Sequence, residues 1–421
     1  MRSFCNTFIS GSLRFVGFPG NVVSAAENAA QGEERLVSRA QPDWSQRIPA
    51  LDGVRGIAIL LVLLRHSIFA MESAIGGPPV TSVFSWFLAA GQLTWSGVDL
   101  FFVLSGFLIG GILLEVRNSP RYFQTFYFRR FYRILPLYVV VVAIFLFQHL
   151  PFYAFIAKSG HFQPLEIPWW SYATFTQNFW MAYLGTFGLN SAGITWSLAI
   201  EEQFYLTIPW IIRKVHLRFL AAVLVAVVIG EPLVRLALRA LLGDHGGIAC
   251  YVLTPARVDG LSLGVLCALL VRSERVWDGL VSRKNLLWLA LGLLFCGVAF
   301  MTWRQYDAFS SAMTTWGYSW LALFYAAFLL LAVVDTGGWL EHILRNPVLT
   351  KLGTLAYCLY LLHISVMQSV RHPLGSWLRG SPHVAWILGG IVGATASVVL
   401  ASLSWKYFEK PLLRRGHRYQ Y

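Results

Sequence analysis

Runs of close to twenty mostly apolar residues recur along almost the whole chain, and no soluble fold has enough interior to hide them all. Candidate spanning helices fall at 51–71, 95–114, 131–150, 195–212, 217–240, 256–272, 285–303, 314–334, 352–370 and 384–405, about ten in number. In hydrocarbon every backbone N–H and C=O must be satisfied within the protein, so the chain reads as all-α, a polytopic membrane helix bundle. With 57 % hydrophobic and 13 % charged residues, an ordinary soluble domain is excluded. The stretch 168–187 is aromatic but carries Gln177, Asn178 and little aliphatic bulk, and is expected to be re-entrant or interfacial instead of a span.

Loop charges give an independent topology. Arg35, Arg39 and Arg47 precede the first run. Arg117, Arg121, Arg129 and Arg130 follow the second, whereas the loop after the first holds no basic residue and that after the third only Lys158. Cytoplasmic loops collect Lys and Arg, so both termini are expected in the cytoplasm, with Arg235, Arg239 and Arg257 as exceptions near an outward loop. The net charge of +13 then reflects topology and attraction to anionic membrane lipids, and no nucleic-acid partner is implied. The scattered cysteines form no C-x-x-C pair, so neither a metal site nor a disulfide framework is expected. Residues 1–46 read as a flexible cytoplasmic tail, 47–415 as the membrane domain and 416–421 as a C-terminal tail, a stand-alone form without an appended soluble domain.

The segment LDGVRGIAILLVLLRH sets Arg55 and His66 inside an otherwise spanning run. Eleven steps along a helix leave the two about 20° apart on one face and roughly 16 Å apart in height. Ionisable residues at membrane depth are costly, about 2.5–3.5 kcal/mol each on insertion scales, so a shared stripe predicts a polar tunnel within the bundle. Arg and His snorkelling to opposite interfaces is the plainer alternative.

Further polar residues fall in other runs. In RRFYRILPLY, Arg130 and Arg133 share a helix face beside Arg129, a guanidinium group suited to phosphate or to a simple interfacial anchor. In GVDLFFVLSGFLI, Asp99 is either a first-turn acid favoured by the helix dipole or a group orienting a histidine, and Ser105 with Gly106 permits close packing. In TWSLAIEEQFYL, Glu201 and Glu202 point about 100° apart, so one at most is expected to face a given cavity squarely. Tyr357, Tyr360 and His363 form a stripe in AYCLYLLH, where a satisfied core histidine is the ordinary reading.

Together with the terminal FEKPLLR, these six motifs occur in the order seen in the acyltransferase-3 family of integral-membrane acyltransferases, which the chain resembles over about residues 47–415. The resemblance implies transfer of an acyl group, commonly acetyl from acetyl-CoA, to a hydroxyl of a carbohydrate or similar acceptor. His66 would match the essential histidine and Arg55, Arg130 and Arg133 the essential arginines. Acyl-CoA is then a co-substrate, with no permanently bound cofactor and no metal, and the expected setting is the bacterial inner membrane. Arg65 stands where an aromatic residue often precedes the histidine, and Ser365 where a proline often follows the later one. These departures put in doubt the acceptor mouth and any role carried over to His363.

On this reading Arg129, Arg130 and Arg133 bind acyl-CoA, and His66 and Arg55 carry the chemistry, His66 as general base or as a covalent acyl carrier. Asp99, Ser105, Glu201, Glu202, Tyr360 and His363 support the site or the acceptor. A surface glycan is the expected acceptor, with a macrolide-like glycoside as alternative; a transporter with an intramembrane proton path is the rival from another class. The sequence does not indicate an oligomeric state.

Overall fold

The computed structural model describes residues 41–44, 46–70, 87–88, 91–147, 166–378 and 380–421. The N-terminal tail expected over 1–46 therefore lies almost wholly outside the described residues, as do Lys158 and the end of the third expected span. Among the described residues the structure is helical, with no strand.

Helix α1 (Pro49–Leu64) starts with proline at its first position, where no intrahelical N–H bond is lost, and passes into a π-helical turn, Arg65–Phe69. A 3₁₀ turn, Gln92–Ser96, leads into α2 (Gly97–Glu115), followed by α3 (Tyr122–Phe147). Two short helices, α4 (Trp169–Ala173) and α5 (Gln177–Leu184), occupy the aromatic stretch expected not to span. Its polar residues anchor it: Gln177 Nε2 donates to Thr195 O at 2.9 Å and Asn178 Nδ2 to Val252 O at 3.1 Å, and both side chains are buried. Then come α6 (Trp196–Lys214), α7 (Leu217–Leu242), α8 (Gly246–Val252), α9 (Val258–Val271), α10 (Lys284–Trp303), α11 (Tyr318–Val334), α12 (Pro347–Trp377) and α13 (Pro382–Ser404). A last π turn, Trp405–Glu409, leads to α14 (Lys410–Gly416).

All ten apolar runs are helical, and seven helices of the described residues are long and apolar enough to cross a membrane. The other three fall short through charge or length. Helix α1 with its π turn carries Asp52, Arg55 and Arg65, α6 carries Glu201, Glu202, Arg213 and Lys214, and α9 has 14 residues.

Glycines set two close helix crossings. On the α1–α12 contact, a Cβ at Gly56 would collide with the carbonyl of Leu349 and one at Gly353 with that of Asp52. On α2–α9, Gly106 meets Leu261 O and Gly264 meets Val103 O in the same way. Bare backbone here lets helices approach without the hydrophobic drive that water would supply. Helix α10 is peripheral, with Met301 its one buried residue.

Two of the three exceptions to the charge topology are part of the interior, and the third, Arg239, is half-buried and donates to Phe309 O at 2.9 Å. Arg235 is 0 % and Arg257 1 % exposed. Arg235 Nη1 lies 3.0 Å from Asp259 Oδ2 and 3.5 Å from Glu231 Oε2, and Arg257 Nη2 lies 2.6 Å from Asp99 Oδ1. Such arginines are held by internal carboxylates, so they carry no information about which loop faces the cytoplasm.

Candidate functional site

Two cavities within the bundle hold the candidate residues. The first, of about 580 Å³, is lined by Trp44 and His417, near the N- and C-terminal ends of the described chain, and by Arg55, Arg130, Arg133, Glu201 and Glu202. The second, of about 470 Å³, contains Arg65 and His66. Val98 and Tyr360 line both. The single tunnel expected from the Arg55–His66 stripe is therefore two chambers meeting at a waist, with one member of the pair in each.

In the first cavity, Arg55 Nη1 donates to Asp52 Oδ1 at 3.0 Å, one turn earlier on the same helix face. Asp52 also pairs with Arg47. One edge of the Arg55 fork is thereby fixed, while the rest of the group borders the cavity. Asp52 went unremarked in the sequence, although its i,i+3 spacing from Arg55 was a usable signal.

Helix α3 begins at Tyr122 and not at 131, so the arginine cluster sits within the helix instead of before it. Its arginines part company. Arg130 and Arg133 line the cavity, and the Arg130 guanidinium stands 5.6 Å from the centre of the Tyr205 ring. Arg129 does not line it: Nε donates to Tyr419 O at 2.9 Å and the guanidinium lies over the Tyr421 ring at 4.8 Å. Adjacent helical residues diverge by about 100°, which takes Arg129 away from the face shared by Arg130 and Arg133. The C-terminal residues are accordingly laid along α3, where Thr125 Oγ1 donates to Gln420 O at 2.8 Å and Tyr419 stacks on Phe128 at 4.6 Å. Partial burial, then Arg129 and Arg133, lower the pKa of the His417 imidazole.

Both glutamates border this chamber, contrary to the expectation that one at most would face it. The cavity wraps around α6 over a wider arc than the angle between neighbouring side chains. Glu201 is held at both oxygens, by Ser105 Oγ at 2.9 Å and Tyr205 Oη at 3.1 Å. Asp99 belongs to neither cavity. It sits in the first turn of α2 and is paired with Arg257, so it orients no histidine.

The waist residue Tyr360 is fixed by its hydroxyl, 2.7 Å from Ser197 Oγ and 3.1 Å from Ile194 O. One turn further along α12, His363 is 0 % exposed, and its partner is the other histidine. His363 Nδ1 lies 3.0 Å from Leu359 O and 2.8 Å from Tyr360 O, and its Nε2 is 3.2 Å from His66 Nδ1. His66 Nδ1 is also 2.9 Å from Val62 O. Carbonyl oxygens only accept, so both Nδ1 atoms carry hydrogen, and His363 Nε2 accepts from His66. The Nε2 of His66 is left with its lone pair.

The π turn that presents His66 has its own support. Arg371 Nη2 donates to His66 O at 2.7 Å and to Ser67 O at 2.9 Å, and the guanidinium rests 3.6 Å from the centre of a Trp386 ring. π turns of this kind concentrate at functional sites. No feature of the sequence around Arg371 signalled this role. Arg65 is tied down locally, with Nη1 2.7 Å from Gln92 Oε1 and 3.0 Å from Phe69 O.

A pinned arginine chamber and an oriented imidazole chamber, back to back, suit group transfer between two substrates that arrive separately. The family described as an acyltransferase domain, Acyl_transf_3, matches residues 48–403. The chain belongs to the acyltransferase-3 family. Among similar proteins, one from Staphylococcus aureus (strain COL), provisionally named an O-acetyltransferase, is 26 % identical over 395 residues, covering 88 % of this acyltransferase and 58 % of the relative. The peptidoglycan O-acetyltransferase OatA of Listeria monocytogenes is 27 % identical over 384 residues, covering 88 % and 56 % respectively. The acyltransferase thus spans a little over half the length of these curated relatives. No solved structure matches it.

Proposed function

We propose that this membrane acyltransferase moves an acyl group, acetyl in the first instance, from acyl-CoA to a hydroxyl of a bacterial surface glycan, with His66 as general base. The observation that carries this reading is the back-to-back pair of cavities sharing Val98 and Tyr360, arginines in one and the His66–His363 pair in the other. The protein sits in the inner membrane with about ten spans. The chamber beside Trp44 and His417 opens to the cytoplasm and the His66 chamber to the opposite side. The distribution of loop charges supports this orientation.

CoA phosphates pair with Arg130 and Arg133, and Arg55, braced by Asp52, steadies the donor further in. The pantetheine arm passes the waist at Tyr360 and delivers the thioester to His66. Arg55 lies roughly 16 Å of helix from His66, which assigns it to the donor and not to the reacting carbonyl. Arg129, turned toward Tyr419 and Tyr421, holds the C-terminal residues instead of phosphate. As the acceptor hydroxyl attacks the thioester carbonyl, its proton goes to His66 Nε2. The tetrahedral intermediate collapses by breaking its C–S bond, the ester remains on the acceptor, and His66 returns the proton to the CoA sulfur.

Purified protein supplied with isotopically labelled acetyl-CoA and glycan tests this. His66→Ala is expected to lower transfer by about 10²–10⁴-fold, the usual worth of positioned base catalysis, with donor affinity retained. Undiminished transfer by that variant contradicts the assignment.

A further inference from the structure

One short loop, Gln305, Tyr306, Asp307, Ala308 and Phe309, lines the same chamber as His66. The loop is held at several points. Gln305 adopts φ +50°, the left-handed position that closes the C-terminus of α10, with Tyr306 N donating to Met301 O at 3.1 Å. Asp307 Oδ1 accepts from Phe309 N at 2.8 Å, Arg239 Nη1 donates to Phe309 O at 2.9 Å, and Tyr318 Oη donates to Ala308 O at 2.6 Å.

These bonds use backbone groups and a single carboxylate oxygen. Among the described residues, Asp307 Oδ2, the Gln305 amide and the hydroxyls of Tyr251 and Tyr306 engage no protein partner. Tyr251 is also the hub of an aromatic box, with ring centres 4.5 Å from Trp196, 5.3 Å from Phe309 and 5.7 Å from Trp95. Arg65, bonded to the neutral Gln92 and Phe69 oxygens, and Asp307 line the chamber together, so an incoming molecule meets one charge of each sign. A free carboxylate oxygen accepts strongly from hydroxyls, and aromatic faces carry negative charge that attracts the polarised C–H face of a sugar ring.

We infer that the Gln305–Phe309 loop and the Tyr251 box form the acceptor subsite, which takes a hydroxyl-bearing sugar ring. Asp307 Oδ2 accepts from a hydroxyl other than the one acylated, and the ring lies against the aromatic box. This rests on the glycan-acylation reading above and adds to it which wall reads the acceptor.

Asp307→Asn is the suitable probe, because the amide oxygen can still accept from Phe309 N, so the loop keeps its shape while the charge is lost. The full chain in detergent is assayed with acetyl-CoA and chitotetraose, and in parallel with an oligogalacturonate of equal length. The acceptor KM for chitotetraose is expected to rise about tenfold, with the KM for acetyl-CoA within twofold of wild type. An unchanged chitotetraose KM in Asp307→Asn overturns the subsite while leaving the enzyme's function standing. A wild-type protein that consumes acetyl-CoA and acetylates neither saccharide overturns the glycan reading, and the subsite with it.

Discussion

His66 and His363 show how much a single hydrogen-bond direction can decide. Each Nδ1 is tied to a carbonyl, so the proton on His66 faces inward and the lone pair on Nε2 remains for chemistry. When His66 takes up a proton, the bond from its Nδ1 to His363 becomes charge-assisted, and such bonds contribute about 1.5–3 kcal/mol. His363→Phe is therefore expected to lower kcat about tenfold or more with both KM values little changed, and His363→Gln, which restores an acceptor oxygen, to recover part of it. A purely packing role would instead appear as an equal loss in both variants together with a lower melting temperature. The sequence stripe brought His363 to notice, but the replacement of a nearby proline by Ser365 argued against it. Only the α1–α12 contact, long in range, shows that the two imidazoles touch.

At the scale of elements, the α1–α12 crossing holds the two histidines together. It depends on Gly56 and Gly353 meeting bare carbonyls, which leaves no room for a side chain. Gly353→Val is expected to destabilise the fold by about 1–3 kcal/mol, the usual cost of overpacking, and to abolish transfer. Gly292→Val on the peripheral α10, where a Cβ meets nothing within 4 Å, is the matched control and is expected to be neutral. Thermal melting of both variants in detergent checks this. Long apolar runs made the helices legible, yet α3 was misplaced at its start because Tyr122 to Arg130 is aromatic and basic instead of aliphatic. The π turn at His66 was also hidden, since a stretch of leucines and valines ending in Arg-His reads the same with or without a widened turn.

Across the whole molecule, charge has two separate uses. Arginines at the helix ends fit the expected loop-charge pattern, whereas Arg235 and Arg257 are paired inside the bundle with Glu231, Asp259 and Asp99. Treating these two as loop charges produced two of the three apparent exceptions in the sequence. The six motifs were legible because each holds an ionisable or small residue that lipid disfavours or that packing requires. The division of the polar interior at Val98 and Tyr360 was not, because a tyrosine in a helical stripe does not reveal that it stands between two chambers. That division leads to the account's central claim, that donor and acceptor reach His66 from opposite sides of the membrane. Sealed proteoliposomes with acetyl-CoA added outside and chitotetraose trapped inside test it most directly. The account predicts acetylated saccharide in the lumen with wild-type protein and none with His66→Ala; acetylation only of saccharide on the same side as acetyl-CoA would contradict it.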